Sequence, residues 1–167
     1  MIVTIFRHGE AGDAANDRSR ELTDSGRDDI AFACRQFHRA CESRGLLHPQ
    51  RIFYSPWTRT LQTAEILAAA FTHAATAETK ALRPGSTTDN VDAVLEKYAN
   101  PLPADGHVLL VSHQPLVSQL IDHYLGDRAR VPGLTPGGLA TLRLDVAHAG
   151  CGQLLFWALP PEYEAGT

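Results

Sequence analysis

Histidine and arginine residues follow short apolar runs at three separate places in this 167-residue sequence. In chain order they are Arg7, His8, Arg59 and His113. A guanidinium group donates two hydrogen bonds to a tetrahedral oxyanion and keeps its charge at all relevant pH values. A neutral imidazole is nucleophilic near pH 7 and can accept a phosphoryl group. These residue types therefore indicate phosphoryl transfer to a histidine, with arginine rather than a metal supplying the positive charge.

The elements that must position these residues alternate between strands and helices. The hydrophobic patterns predict strands over 2–6, 51–54, 76–82, 107–111, 137–146 and 153–159, and helices over 24–43, 58–71, 90–98 and 115–125. This alternation predicts an α/β fold, a three-layer α/β/α sandwich with a largely parallel central sheet. Ligands of such sheets bind beyond the carboxyl ends of the strands. The histidines and arginines that follow the strands are therefore expected to converge on one edge of the sheet.

Composition and charge narrow the class of protein. With 44% hydrophobic and 20% charged residues, the chain is typical of a folded globular protein, and we predict a single domain over 1–167 with a surface tail at 159–167. The net charge of −4 argues against a nucleic-acid partner. No apolar run has the length of a membrane span, and no export signal or CxxC pair is visible. These features predict a cytoplasmic protein with no membrane partner.

Four sequence blocks carry the candidate residues in a characteristic order. They are Arg7-His8-Gly9-Glu10, Leu22-Thr23-x-x-Gly26, Ser55-Pro56-x-x-Arg59-x-x-Gln62-Thr63-Ala64 and Ser112-His113-Gln114-Pro115. In these blocks the chain resembles the histidine phosphatase superfamily, which has the phosphoglycerate-mutase-like fold. The opening RHGEA and the segment Leu82-Arg83-Pro84-Gly85 are most similar to the SixA-type phosphohistidine phosphatases.

The resemblance implies a role for each matching residue. His8 would be the phosphate-accepting nucleophile, and His113 the second histidine of the phosphate pocket. Arg7 and Arg59 would clamp the phosphate, and Arg20, two residues before the second block, is a candidate third clamp. The implied phosphate-binding set is Arg7, Gly9, Arg20, Arg59 and His113. Gln62 and Thr63 are interpreted as structural, and Trp57 either packs the helix start or forms a rim of the pocket.

The interval between Arg59 and His113 is short and already holds a strand, a helix and another strand. It leaves no room for the inserted cap of larger superfamily members, so we expect an open pocket that suits a phosphate carried on a protein surface. Candidate proton donors are Glu10 and Asp89, with Glu78 a further carboxylate. A phosphohistidine leaves as imidazole, which lowers the demand for a general acid.

The sequence therefore predicts a phosphohistidine phosphatase that works through a phospho-His8 intermediate. The resemblance implies a phosphorylated protein partner, such as a histidine phosphotransfer domain of a bacterial phosphorelay, and a tetrahedral anion in the pocket. One alternative is a phosphomonoesterase or mutase of small metabolites, and another is a non-catalytic phosphoprotein-binding module. No cofactor and no metal site is predicted, because the remaining histidines show no HxH or HExxH pattern. Five of the six remaining histidines are interpreted as surface or interhelix residues: His38, His48, His73, His107 and His148.

Overall fold

The computed structural model describes residues 1–99, 105–127 and 130–166. These residues form a six-stranded sheet with four α-helices. The strands are β1 (Ile2–Arg7), β2 (Arg51–Tyr54), β3 (Ala75–Glu78), β4 (His107–Ser112), β5 (Leu139–Leu144) and β6 (Gly152–Ala158). The helices are α1 (Asp24–Ser43), α2 (Thr58–Ala70), α3 (Thr88–Ala99) and α4 (Leu116–Leu125). None of these helices is long and apolar enough to cross a membrane.

The sheet has the strand order β3-β2-β4-β1-β5-β6. The pairs β2/β3, β2/β4 and β1/β4 are parallel, whereas β5 runs antiparallel to both β1 and β6. The prediction of an α/β fold with a largely parallel sheet is therefore confirmed. Because β2, β4 and β1 are neighbours and run in the same direction, their carboxyl ends lie side by side.

The core consists of two apolar clusters, one on each face of the sheet. Alternate residues of β4 point to opposite faces, so that Leu110 joins the cluster of α3 and α4 while Leu109 joins that of α1 and α2. Strands covered on both faces become continuous apolar runs, and every residue of β4 is buried. This is the predicted three-layer arrangement.

Two predictions about local structure were wrong. The strand predicted over 76–82 ends at Glu78, and Lys80–Leu82 forms a short 3₁₀ turn that buries Leu82. The apolar spacing of the second helix predicts that Leu61 faces the core, but its exposed fraction is 38%. The buried side of α2 contains Thr60, Ala64 and Leu67, and Leu61 lies about 100° around the helix from Thr60.

Local hydrogen bonds fix the start of α1 and the C-terminal segment. The Thr23 hydroxyl caps α1 by accepting a hydrogen bond from the Gly26 amide at 2.9 Å. The segment predicted as a surface tail is partly docked. Tyr163 is buried and its hydroxyl donates to the Gly137 carbonyl at 3.2 Å, while Gly166 pairs with Trp157 of β6.

Candidate active site

The carboxyl ends of β1 and β4 and the start of α2 bring the four predicted residues together. Arg7 ends β1 and His8 follows it, Arg59 lies in the first turn of α2, and His113 follows β4. His8, Arg59 and His113 are only 7%, 4% and 2% exposed. The Arg59 Nε donates to His8 Nε2 at 3.0 Å, and the His8 and His113 ring centroids are 5.0 Å apart. Residues far apart in sequence therefore form one buried, cationic cluster.

The hydrogen bonds of His8 determine its tautomer. A guanidinium group can only donate, so His8 Nε2 must be unprotonated to accept from Arg59. The proton then resides on Nδ1, which donates to the Gly9 carbonyl at 2.7 Å. Burial lowers the His8 pKa to about 4, and the charges of Arg59 and Arg7 act in the same direction. At neutral pH His8 is therefore an uncharged imidazole with a lone pair on Nε2, which is the form a nucleophile needs.

Two buried nitrogens beside His8 have no hydrogen-bond partner among the described residues. They are His113 Nδ1 and Arg7 Nε. The other His113 nitrogen pairs with the Ser55 hydroxyl at 2.8 Å, and Arg7 Nη1 donates to the Leu134 carbonyl at 2.7 Å. Burial, and then the neighbouring His8 and Arg59, lower the His113 pKa to about 2. An unpaired buried polar group is costly, so each of these nitrogens is a candidate donor to a bound oxyanion.

The remaining donors of Arg59 contact Asp17, a residue that the sequence did not single out. Arg59 Nη1 donates to the Asp17 carbonyl oxygen at 2.6 Å, and Nη2 to the Asp17 carboxylate at 3.3 Å. Arg20 Nη1 donates to the other carboxylate oxygen at 3.1 Å. Hydrogen bonds from Arg20, with support from Arg59, hold the Asp17 pKa below its usual range. An oxyanion that engages the whole Arg59 fork must therefore replace Asp17.

Among the described residues, the hydrogen bonds of Arg20 reach this cluster only through Asp17. Its other donors bind loop carbonyls, Nε that of Gly12 at 2.7 Å and Nη2 that of Ala11 at 3.0 Å. The predicted role of Arg20 as a third clamp would require its Nη1 to leave Asp17 for the phosphate.

Neighbouring residues hold the cluster in place. Thr63 Oγ1 donates to the Arg59 carbonyl at 2.7 Å and accepts from the Gly9 amide at 3.2 Å. Gln62 accepts from the Leu22 amide at 2.8 Å. Thr63 and Gln62 therefore connect α2 to the loops that carry the site, in agreement with the structural interpretation. At Gly9, a Cβ would approach a side chain of α1 to 2.9 Å, so the close packing there is against α1.

Trp57 forms one wall of the cluster. The Arg59 Cζ lies 4.7 Å from the Trp57 ring centroid, a cation–π distance, and the Trp57 and His113 centroids are 5.1 Å apart in an edge-on arrangement. Ser55, which pairs with His113, is also fully buried. The sequence signal for both residues was their place in the Ser55-Pro56 block.

The candidate proton donors lie outside this cluster. Glu10 accepts from the Thr23 hydroxyl at 2.9 Å, and the Thr23 amide donates to its carbonyl oxygen, so Glu10 braces the start of α1. Asp89 is exposed in the first turn of α3, and Glu78 is exposed at the end of β3. Within the described residues, no hydrogen bond connects Asp89 or Glu78 to His8, Arg59 or His113.

Two other histidines have polar partners in the structure. His107 is fully buried, with Nε2 at 2.8 Å from the Thr4 hydroxyl and Nδ1 at 2.7 Å from the Leu47 carbonyl oxygen. Its interpretation as a surface or interhelix residue was wrong, because β4 is covered on both faces. His123, which the sequence did not single out, pairs with Asp92 at 2.9 Å.

A cleft of about 970 Å³ adjoins the end of β4. It runs from the start of α3 along the length of α4, and its lining includes Thr88, Pro115 and His123. The lining begins two residues beyond His113 and includes none of the four motif residues.

Solved structures share this architecture over nearly the whole chain. The protein histidine phosphatase SixA complexed with tungstate is 27% identical, with a TM-score of 0.78 over 96% of this chain and 97% of that one. The predicted resemblance to the histidine phosphatase superfamily is confirmed. A protein from Agrobacterium tumefaciens, provisionally assigned as phosphohistidine phosphatase SixA, is 22% identical with a TM-score of 0.76 over 95% and 98% of the two chains, which shows the fold alone.

A more distant solved structure also has this fold. A mycobacterial glucosyl-3-phosphoglycerate phosphatase is 16% identical, with a TM-score of 0.69 over 92% of this chain and 96% of that chain. No family model matches the sequence. None of the curated proteins matches it significantly. The structural match to SixA therefore supports a phosphatase activity, whereas the matched proteins differ in their named substrates.

Proposed function

We propose that this protein is a phosphohistidine phosphatase that removes phosphate from a partner protein through a phospho-His8 intermediate. The observation that carries the proposal is the unprotonated Nε2 of a buried, neutral His8, held 3.0 Å from the Arg59 guanidinium. The tungstate bound by the SixA structure is a tetrahedral oxyanion, like phosphate.

The chemistry follows from the donors around His8. Nε2 attacks phosphorus as the bond from phosphorus to the substrate nitrogen breaks, and the substrate imidazole leaves with a proton on one nitrogen. Arg7, Arg59 and His113 donate to the non-bridging oxygens, which stabilises charge that develops in the transition state. Water then attacks phospho-His8, inorganic phosphate departs, and His8 regains its neutral form. Because arginine supplies the positive charge, the proposed reaction needs no metal ion.

The surroundings of the site favour a phosphohistidine over an alkyl phosphate. An alkoxide leaving group requires a general acid, whereas imidazole is a good leaving group. Glu10 is occupied at the start of α1, and Asp89 is exposed in the first turn of α3, with no hydrogen bond to the cluster in the described part of the chain. Between Arg59 and His113, the described residues complete α2 and add β3, a 3₁₀ turn, α3 and β4, without a separate cap. A protein-borne phosphohistidine, such as that of a histidine phosphotransfer domain in a bacterial phosphorelay, could reach such a site.

A second candidate function is hydrolysis or transfer of a small phosphorylated metabolite. The cleft that begins at Pro115 favours it, because a small leaving group beside His113 would find walls there. A non-catalytic phosphoprotein-binding module is less favoured. Binding alone does not require the nucleophilic tautomer that Gly9 and Arg59 impose on His8.

The proposal is tested by comparing three substrates at equal concentration: a phosphohistidine protein, a phosphorylated sugar and an aryl phosphate. We expect the highest kcat/KM for the phosphohistidine protein, and preference for the sugar would favour the metabolite reading. His8→Ala should abolish turnover and acid-labile ³²P labelling of the protein, whereas His148→Ala, at an exposed histidine, should change neither. Phosphatase activity that survives in His8→Ala would refute the assignment of His8 as the nucleophile.

A further inference from the structure

Three side chains with metal-binding atoms meet at the end of the molecule where α1 finishes. His38 and Glu42 are one turn apart on α1, and His48 lies in the segment between α1 and β2. His38 Nδ1 is 3.5 Å from a Glu42 carboxylate oxygen, and the His38 and His48 ring centroids are 4.1 Å apart. One ligand atom from each of the three residues lies within 4.8 Å of the other two. The sequence showed no metal motif here because a loop, rather than helical spacing, brings His48 into place.

An unpaired nitrogen in this cluster provides a second, independent observation. In the described part of the chain, three buried side-chain nitrogens have no hydrogen-bond partner. Two of them, Arg7 Nε and His113 Nδ1, belong to the candidate phosphate site and are explained by an oxyanion. The third is His48 Nε2. By the same reasoning, His48 requires a ligand of its own, and a nitrogen that lacks a donor partner can coordinate a cation.

We propose that His38, Glu42 and His48 bind a divalent transition metal ion of the Zn²⁺ type. Two imidazoles and one carboxylate are a typical ligand set for Zn²⁺, whereas Mg²⁺ and Ca²⁺ require more oxygen ligands. Bonds of about 2.0–2.1 Å in a tetrahedral site place ligand atoms roughly 3.4 Å apart. The distance between His38 Nδ1 and the Glu42 carboxylate oxygen, 3.5 Å, already meets this requirement. Their side chains are 43% and 61% exposed, so they can rotate to complete the site, with water as the fourth ligand.

The proposed metal site is separate from the phosphate site. The rings of His38 and His48 lie 6.2 and 5.7 Å from that of Phe71, which directly follows α2. Arg59 lies in the first turn of the same helix, so the helical rise separates the two sites by about 18 Å. The metal would therefore connect α1 to the segment that leads into β2 and would stabilise the fold without contacting the phosphate.

Neighbouring charges set the expected strength of binding. Arg35 and Arg39 line the groove that also contains His38 and Glu42. Their positive charges oppose a cation, and the Glu42 carboxylate offsets part of that repulsion. Replacing Glu42 by glutamine should therefore weaken binding both through a lost ligand and through a lost negative charge.

The experiment titrates the metal-free full chain with Zn²⁺ by calorimetry and follows its thermal unfolding. We expect one Zn²⁺ per chain, no binding of Mg²⁺, and a Tm rise on the order of 5–10 °C at a Zn²⁺ concentration of about 100 times Kd. Glu42→Gln and His48→Gln should each weaken Zn²⁺ binding at least about tenfold, whereas His148→Gln should not. The proposal would be overturned if the wild-type chain failed to bind Zn²⁺. It would also be overturned if Glu42→Gln and His48→Gln bound Zn²⁺ as tightly as the wild type.

Two further measurements distinguish this site from other metal-binding groups. Co²⁺ bound through nitrogen and oxygen gives visible d–d bands without the near-ultraviolet thiolate charge-transfer band. That band would assign the metal to a cysteine such as Cys151 and would overturn the proposal. His8→Ala should retain Zn²⁺ binding, and loss of binding in that variant would place the metal at the phosphate site instead.

Discussion

Replacement of Arg59 by alanine tests the electrostatic basis of the proposed mechanism. Three donors of Arg59 face the cluster: Nε contacts His8, and Nη1 and Nη2 contact Asp17. If two of these donors transfer to phosphate oxygens, each charge-assisted bond contributes about 1.5–3 kcal/mol. The summed loss of about 3–6 kcal/mol in transition-state stabilisation corresponds to a decrease of roughly 10²–10⁴-fold in kcat/KM.

The assay measures initial rates of phosphate release from a phosphohistidine protein, with kcat and KM determined separately. Arg59→Lys should fall between Arg59→Ala and the wild type, because an ammonium group keeps the charge but not the planar fork. Arg18→Ala is the matched control, since it removes an exposed arginine from the loop that carries Asp17. Circular dichroism establishes that each variant is folded. The role of Arg59 in the transition state would be refuted if Arg59→Ala decreased kcat/KM by less than tenfold, or if it increased KM and left kcat unchanged.

Two predictions concern metal removal and pH. Chelation with EDTA should leave kcat at 25 °C unchanged, since arginine supplies the positive charge and the proposed metal site lies at the opposite end of α2; a chelator-sensitive kcat would contradict metal independence. Burial lowers the pKa of His107 to about 4, whereas an unfolded histidine has a pKa of about 6.5. Between these values the unfolded chain binds more protons, so the free energy of unfolding should fall as the pH decreases from 6.5 to 4, by about 3 kcal/mol for His107 alone. Urea denaturation at several pH values measures this slope, and His107→Gln should reduce it; an unchanged slope would refute the assignment.

The sequence was most informative where one local pattern had one structural solution. A buried parallel strand has to be apolar on both faces, and β4 was therefore identifiable from its composition alone. The arginines and histidines that follow such strands converge because the strands are parallel neighbours. The placement of His8, Arg59 and His113 could thus be predicted without knowledge of any side-chain contact.

The contacts that the sequence missed depend on loops. Asp17 reaches Arg59 because the 3₁₀ turn Asp17–Ser19 directs its carboxylate toward the cluster, and no periodicity encodes that direction. His48 likewise reaches His38 through the segment that follows α1. His107 was interpreted as a surface or interhelix residue, yet the structure buries it in the sheet among polar partners. Tertiary context decided all three positions.

The role of Asp17 follows from a comparison of charges. The chain has a net charge of −4, yet the cluster around His8 gathers Arg7, Arg20 and Arg59. Asp17 neutralises part of this charge by binding both Arg20 and Arg59. Its side chain is 56% exposed, so the pair with Arg59 contributes only about 0–1 kcal/mol and is readily exchanged. A phosphoryl group presents more negative charge and more acceptor oxygens than a carboxylate, so the exchange favours phosphate. In the proposed mechanism, Asp17 therefore keeps the Arg59 fork oriented between turnovers at little cost to substrate binding.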